Sequence, residues 1–471
     1  MKVLLAVQGY PPELRGGTEH GVQALARGLA RAGVDVTVAC GSDQWQQGYR
    51  LTREDDVDPA SGARLTVVRL HRADAFYGNW QKGISPWTGR TFQELVQELR
   101  PDVVHVHHWL RLSMDLVARA AAAGVPSVLT VHDLWSTCLI YFRVRPDTLR
   151  YCDVALAPDP CFACAEHIPP KTPWRTREEL TQTLERRQRA LLREFQLARV
   201  VVALCRDHAQ ALDHYLGLKE RGIAVEHLPP PRELELSPAP PLVPPHELGR
   251  LVLATWGGVH MLKGPDLLVA ALAALPATGL PIELHLAGRE PDAALKARLV
   301  AAAKTLPATM RVHFHGEFPE GTLARSPLGR AHAFVSGSRA RETWGLVVDE
   351  ALALRLVPIL PRFGAFPEHV GERGALYYEP GDARSLADVL QRLRTEPTLW
   401  PRLAAELPRL EDVLPPVDEI VRRTRAYYER ALAAGAPPAP KFDLSDERVD
   451  QEALERWDAA LAAQPPDALG L

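Results

Sequence analysis

Residues 331–361, AHAFVSGSRARETWGLVVDEALALRLVPILP, hold two short apolar runs separated by a polar turn and a stretch of helical periodicity. The first run ends in Ser336-Gly337-Ser338, Gly345 opens a helix expected to reach Leu354, and a second run covers 356–360. Strand, loop, helix and strand in that order make the crossover unit of a parallel sheet. That unit constrains the chain more than any other stretch.

Two carboxylates flank its turn, Glu342 before the helix and Glu350 inside it. A helix starting near Trp344 aims the amides of Gly345, Leu346 and Val347 outward, and with the helix dipole they form an anion site suited to a diphosphate. Eight residues within one helix would set the two Glu about 12 Å apart along the axis and on different faces. With Glu342 in the loop, one carboxylate can meet each end of a sugar–diphosphate–nucleoside. Sugar hydroxyls would lie at Glu342 and ribose hydroxyls at Glu350. On spacing alone the plainer reading, a capping Glu and a solvated helical Glu, has the stronger claim.

The same alternation recurs along the chain. Apolar runs at 3–7, 34–40, 65–70, 103–107, 127–131 and 200–204 read as strands. Helical periodicity covers 19–32, 92–99, 116–123 and 209–216. After residue 250 a second series has strands at 251–255, 282–287, 311–315, 333–335, 357–360 and 375–378, with helices at 266–275 and 293–306. Repeated βα units predict doubly wound parallel sheets, whose ligands bind at topological switch points. The proline-dense stretch LPPPRELELSPAPPLVPP cannot be a regular core element and reads as a linker. The expected organisation is a domain at 1–227, a linker at 228–248 and a second domain at 249–410. An amphipathic helix at 411–434 would return to the first domain, and a linker and acidic tail fill 435–471.

A chain of 471 residues is long enough for two full cores. A net charge of −3 argues against a general nucleic-acid binder. The first apolar run is too short for a signal peptide and no stretch reaches transmembrane length, so a cytoplasmic protein is expected. In that compartment six Cys suggest thiols or metal ligands before disulfides.

Glu342-x7-Glu350, with Ser336 upstream and Gly345-Leu346-Val347 between, resembles the E-x7-E element of retaining glycosyltransferases of family 4. The resemblance runs from Val3 to about Tyr427. It implies the GT-B fold: two Rossmann-like doubly wound parallel-sheet domains facing across a crevice. It also implies transfer of a sugar from a UDP-, GDP- or ADP-sugar donor to a glycan, lipid-linked or small-molecule acceptor. No cofactor is expected for catalysis, because front-face attack lets the leaving diphosphate take the acceptor proton. A polysaccharide-building role on lipid carriers, common among bacterial relatives, would fit peripheral contact at the inner face of the membrane. No strongly basic amphipathic helix argues for that contact.

Other residues gain roles from this frame. Gly16-Gly17 lies in the first strand-to-helix loop, where backbone can approach a ligand, and the resemblance puts it over the donor phosphates. His132 ends the apolar run before it. It is either a satisfied strand-end His or, as the resemblance implies, a contact to the transferred sugar. His105, His107 and His108 read as mostly structural. Lys263-Gly264 precedes a helix, and the Lys can reach a diphosphate as a point charge. The family has an Arg a few residues earlier, where Gly258 aligns here. The missing charge would come from another Arg, with Arg339 and Arg341 nearest in sequence, or the donor would bind weakly.

Cys138, Cys152, Cys161 and Cys164 form C-x13-C-x8-C-x2-C, and the last pair has zinc-ligand spacing. A structural zinc and unrelated thiols both remain open. Some bacterial family members carry a comparable Cys-containing loop. Three competitors to a transferase share parts of these features: a GT-B sugar-nucleotide epimerase, a phosphorylase and a non-catalytic nucleotide-sugar binder. Nothing indicates the cofactor-binding Lys that a phosphorylase needs.

Overall fold

The computed structural model describes residues 1–42, 44, 49–71, 85–140, 142–165, 176–219, 221–227, 243–289, 292–319 and 321–442. Most of the expected linker (228–242) and of the tail (443–471) lies outside the described residues. The chain divides into two compact units. The first takes the described residues of Met1–Tyr141, Asp153–Pro231 and Pro416–Leu471, and the second those of Phe142–Cys152 and Arg232–Pro415.

The first unit is built on strands β1 (Lys2–Val7), β2 (Asp35–Gly41), β3 (Arg50–Val57), β4 (Arg64–His71), β5 (Val103–Val106), β6 (Ser127–Thr130), β7 (Val200–Ala203) and β8 (Ala224–Val225). They form one sheet in the order β3-β4-β2-β1-β5-β6-β7-β8, parallel except for the β3–β4 pair. Strands covered on both faces read as unbroken apolar runs, and Val3 to Val7 are fully buried accordingly. β3 is the exception that its sequence, RLTREDDV, hides: a charged, largely exposed antiparallel edge of the kind that discourages further pairing. Helix Val417–Ala434 belongs to this unit. It buries Ile420, Val421, Thr424, Tyr428 and Ala431, and Gly28 leaves room for Val421 on helix Gly17–Arg31.

The second unit has β9 (Leu251–Trp256), β10 (Ile282–Ala287), β11 (Met310–Phe314), β12 (Ala333–Val335), β13 (Val357–Pro361) and β14 (Leu376–Tyr378). All are parallel, in the order β11-β10-β9-β12-β13-β14. One continuous core runs from Leu251 through Phe334 and Ile359 to Leu403. The last residues of the expected linker, Pro245–Leu248, form a one-turn helix whose His246 imidazole bonds the Leu393 carbonyl, 3.2 Å away.

In each sheet the chain winds outward in both directions from one place. In the first unit that place lies between β1 and β5, and in the second between β9 and β12. The loops after those strands are where an open α/β sheet binds ligands.

Candidate active site

In the second unit the loops after β9 and β12 touch. Gly264, at φ 61°, and Gly337 pack backbone against backbone, so a Cβ on either would overlap the other's carbonyl oxygen. Arg339 closes the same junction: its amide donates to the Leu262 carbonyl at 2.8 Å, and its guanidinium grips both oxygens of Asp266 at 2.8 and 2.7 Å. A third guanidinium bond reaches the Met261 carbonyl, 2.7 Å away. Arg339, one of the two candidates for a supplementary cation, thus braces the two loops. Arg341 lies over the rings of Phe363 and Tyr151, 5.4 and 5.8 Å from their centroids.

The close approach brings Lys263 to Glu342, with Nζ donating to Oε1 at 2.6 Å. Ser338 Oγ donates to the same oxygen, also at 2.6 Å. Burial works against the Glu342 carboxylate, but the Lys263 ammonium and these two hydrogen bonds outweigh it and hold its pKa below the ordinary value. His260 stands beside the pair and is held below the usual imidazole range, by burial first and then by Lys263. Lys263, Glu342, Ser336 and Val347 line one pocket, floored by Trp256 and Phe366.

Gly345 is the N-cap rather than the first residue of the helix, which spans Leu346–Ala353. Its φ of 89° favours glycine, and a Cβ there would meet the Phe366 ring at 2.7 Å. A buried cluster fixes the turn: Trp344 Nε1 donates to Asp349 Oδ2 at 2.9 Å, and His369 Nε2 is 2.5 Å from Asp349 Oδ1. The His369 ring stacks on Trp344 with centroids 3.9 Å apart. With the start of the helix so fixed, Leu346 and Val347 present first-turn amides. Glu350 accepts the Trp256 indole N–H at 2.5 Å, which ties the helix to the end of β9.

The first unit holds the other expected residues. Gly16 and Gly17 are exposed at the start of helix Gly17–Arg31, whose Glu19 accepts from Gln8 Nε2 at 3.1 Å. His132 follows β6, is buried, and its Nε2 shares a hydrogen bond with His107 Nδ1 at 3.0 Å. The His105 ring lies tilted against His107, with centroids 4.0 Å apart, and bonds Tyr428 Oη and Thr130 Oγ1 at 2.9 and 2.8 Å. Burial, then the neighbouring His107 and His108, holds His132 well below its ordinary pKa, so its imidazole is neutral.

The cysteine segment is divided between helix and loop. Cys161 and Cys164 lie on helix Pro158–Ala165, and Cys164 is packed with Leu139, Leu156, Phe162 and Leu184 in a small apolar cluster. Among the described residues, the three thiols of this segment in the first unit, Cys138, Cys161 and Cys164, do not appear together as a group of metal ligands, and Cys152 groups with the second unit. No role for zinc is derived from them.

Within the second unit, then, the structure joins Lys263, Glu342, Gly345, Leu346, Val347 and Glu350 around one switch point. Ser338, Trp256, His260 and the Asp349–His369 pair were not expected there. Only a three-dimensional contact could reveal them, because each lies in an ordinary loop, strand-end or helix context in sequence.

A Glycosyltransferase Family 4 model matches residues 15–228, and a Glycosyl transferases group 1 model matches residues 250–396. Over 144 residues the chain is 29% identical to the glycogen synthase of Mycobacterium tuberculosis, found in two strains. That match covers 28% of this chain, and the chain spans about a third (33%) of the length of those curated relatives. Sucrose-phosphate synthase from Thermosynechococcus elongatus superposes with a TM-score of 0.62 at 18% identity, over 92% of this chain and 99% of that one. The catalytic domain of starch synthase IV from Arabidopsis thaliana, bound to ADP and acarbose, gives 0.58 at 14%, over 92% and 99%. An Anabaena protein in complex with UDP and glucose gives 0.55 at 16%, over 90% and 99%. With a glycosyltransferase model on each of its two α/β units, the chain belongs to the glycosyltransferases of the GT-B fold.

Proposed function

We propose that the protein is a retaining transferase that moves a sugar from a nucleotide-sugar donor, with the donor held in the second unit. The observation that carries this reading is the convergence of Lys263, Glu342 and the start of helix Leu346–Ala353 on one pocket at the β9–β12 switch point. The diphosphate takes the amides of Leu346 and Val347, where the dipole favours negative charge, with Lys263 as the mobile cation. Glu342, ionised and fixed by Ser338, accepts hydroxyls of the transferred sugar. Glu350, steadied by Trp256, holds the ribose.

The nucleotides and sugars named with the structural relatives support a donor of this class. In the first unit, His132 offers a neutral imidazole to a sugar hydroxyl, and Gly16-Gly17 offers exposed backbone. Bond-making follows the front-face course: the acceptor oxygen bonds the anomeric carbon as the bond to the diphosphate breaks, and the departing phosphate oxygen takes the acceptor proton. The protein's share is electrostatic stabilisation of the leaving diphosphate and of the oxocarbenium-like sugar. The acceptor is a glycan, a lipid-linked sugar or a small molecule. No helix among the described residues is long and apolar enough to cross a membrane.

A thermal-shift panel of UDP-, GDP- and ADP-sugars tests the donor class, because a ligand that binds only the folded state raises the melting midpoint. One nucleotide series should stabilise the protein, and Glu342→Gln should keep that stabilisation while losing transfer. No shift with any of the three, or transfer at the native rate by Glu342→Gln, would overturn the reading.

A further inference from the structure

Strands β10 and β11 carry a group of side chains that the donor pocket does not use. Glu283 and His285 are two residues apart on β10, and the parallel register pairs them with Arg311 and His313 on β11. Alternation puts all four on one face of the sheet. Ligand atoms of Glu283, His285 and His313 lie within 4.8 Å of one another. The His285 and His313 rings stack with centroids 4.7 Å apart. Nε2 of His313 is buried and makes no hydrogen bond among the described residues.

Two of the three groups already have a partner on the far side. Nδ1 of His285 shares a hydrogen bond with Nε2 of His315 at 2.8 Å, and the Arg250 guanidinium stands 3.6 Å from Glu283 Oε2. Metal-binding sites are built this way, with an outer partner fixing the orientation of each ligand.

We propose that Glu283, His285 and His313 form a site for a divalent transition ion of the zinc class. Two imidazoles and a carboxylate are a borderline donor set that suits zinc and its neighbours over magnesium or calcium. His285 coordinates through the nitrogen that it does not share with His315, and Glu283 through the oxygen turned away from Arg250. The ion gives the orphaned His313 nitrogen a partner. Bonds of about 2.0–2.1 Å are reached by turning the imidazoles and the carboxylate on their side-chain torsions. Because the ligands come from both strands, the ion pins β11, the edge of the sheet, to β10. None of these residues lines the donor pocket, so the role is structural.

The full-length protein, stripped with a chelator and dialysed, is titrated with zinc by calorimetry and with cobalt by visible absorption. One equivalent should bind saturably and raise the melting midpoint, with a cobalt spectrum free of thiolate charge transfer. His285→Gln/His313→Gln should abolish binding, His315→Gln should weaken it about 10–100-fold, and Cys161→Ser/Cys164→Ser should leave it unchanged. If the double His variant fails to fold, Glu283→Gln and the wild-type cobalt spectrum decide. The proposal falls if wild-type protein shows no saturable binding in the micromolar range, or if binding survives the loss of both His. It also falls if the cobalt spectrum is that of a thiolate site and vanishes in the Cys variant.

Discussion

Lys263 and Glu342, 79 residues apart in the chain, meet at 2.6 Å because the loops that carry them are pressed together by Gly264 and Gly337. The pair sets up the site before any ligand arrives: the ammonium keeps a largely buried carboxylate ionised, and the carboxylate keeps a flexible Lys at the mouth of the pocket. Lys263→Met should therefore leave Glu342 with an uncompensated charge. The cost should fall between the ~1 kcal/mol of an exposed pair and the ~3 kcal/mol of a buried one, since the Lys263 side chain is 38% exposed. Glu342 has its pKa lowered on folding, so its contribution is present above the ordinary carboxylate pKa and is lost as pH falls through the folded value. Urea midpoints of wild type and Lys263→Met should differ at pH 7 and converge in acid. A gap that persists undiminished in acid would mean that packing, not charge, is what Lys263 supplies.

Gly264→Ala isolates the junction itself. The new methyl meets the Gly337 carbonyl, a backbone atom that cannot swing aside, at a φ of 61° that disfavours side chains. A loss of about 1–3 kcal/mol is expected from such overpacking, with a fall in donor affinity because Lys263 is the neighbouring residue. Gly62→Ala, also at positive φ but with open space around it, serves as the control for backbone strain alone. Equal losses at the two positions would remove the argument from close approach.

The chain of imidazoles in the first unit predicts a pH response. Burial holds His105 at about 3, and it holds His107 and His132 well below their ordinary values. In the unfolded chain these groups take up protons near the ordinary 6.5, while the folded protein does not. Stability is thus full above pH 6.5 and declines as pH falls toward the folded values, by up to about 1.4 kcal/mol per pH unit for each group. His105→Gln keeps a polar group between Tyr428 and Thr130 and should flatten the slope of midpoint against pH between 6 and 4. An unchanged slope would show that His105 is not one of the groups involved.

Much of the architecture could be read from sequence because strands buried on both faces are unbroken apolar runs, as at Val3–Val7 and Leu251–Thr255. β3 could not, since an exposed charged edge strand carries no such signal. Helix Arg177–Leu197 also escaped notice. Its buried face mixes Leu184, Leu191 and Phe195 with Arg187 and Glu194, which dilutes the apolar stripe. In the candidate site, the family resemblance of Glu342-x7-Glu350 and the place of Lys263 before a helix singled out these three residues. Their mutual contacts did not follow from spacing. Neither the Lys263–Glu342 pair, the Trp256–Glu350 bond nor the Arg339–Asp266 brace leaves a trace in one dimension. The cysteine spacing left two readings open because a C-x2-C pair on a helix can also serve packing, as Cys164 does.

The remaining question in the proposed donor pocket is its cation. Gly258 stands where the family resemblance expects an Arg, and the nearest replacement in sequence, Arg339, is held on Asp266 with only 9% of its side chain exposed. Releasing it would break a bidentate brace, so it cannot serve the diphosphate without opening the loop junction. Arg339→Ala should lower the melting midpoint more than it lowers affinity measured well below that midpoint. Gly258→Arg should instead tighten binding of the nucleoside diphosphate, because a guanidinium can grip phosphate oxygens in pairs where a single ammonium cannot. One steric condition applies: a Cβ at position 258 comes within 2.8 Å of the His260 ring, the movable end of a side chain. Gly258→Arg/His260→Ala should therefore gain at least as much as Gly258→Arg alone. Arg341→Ala completes the calorimetric set, testing whether the guanidinium over Phe363 and Tyr151 already supplies the second charge. Loss of diphosphate binding in that variant, with no gain from Gly258→Arg, would place the missing cation at Arg341. No change there, with a gain at 258, would mean that Lys263 acts without a guanidinium partner.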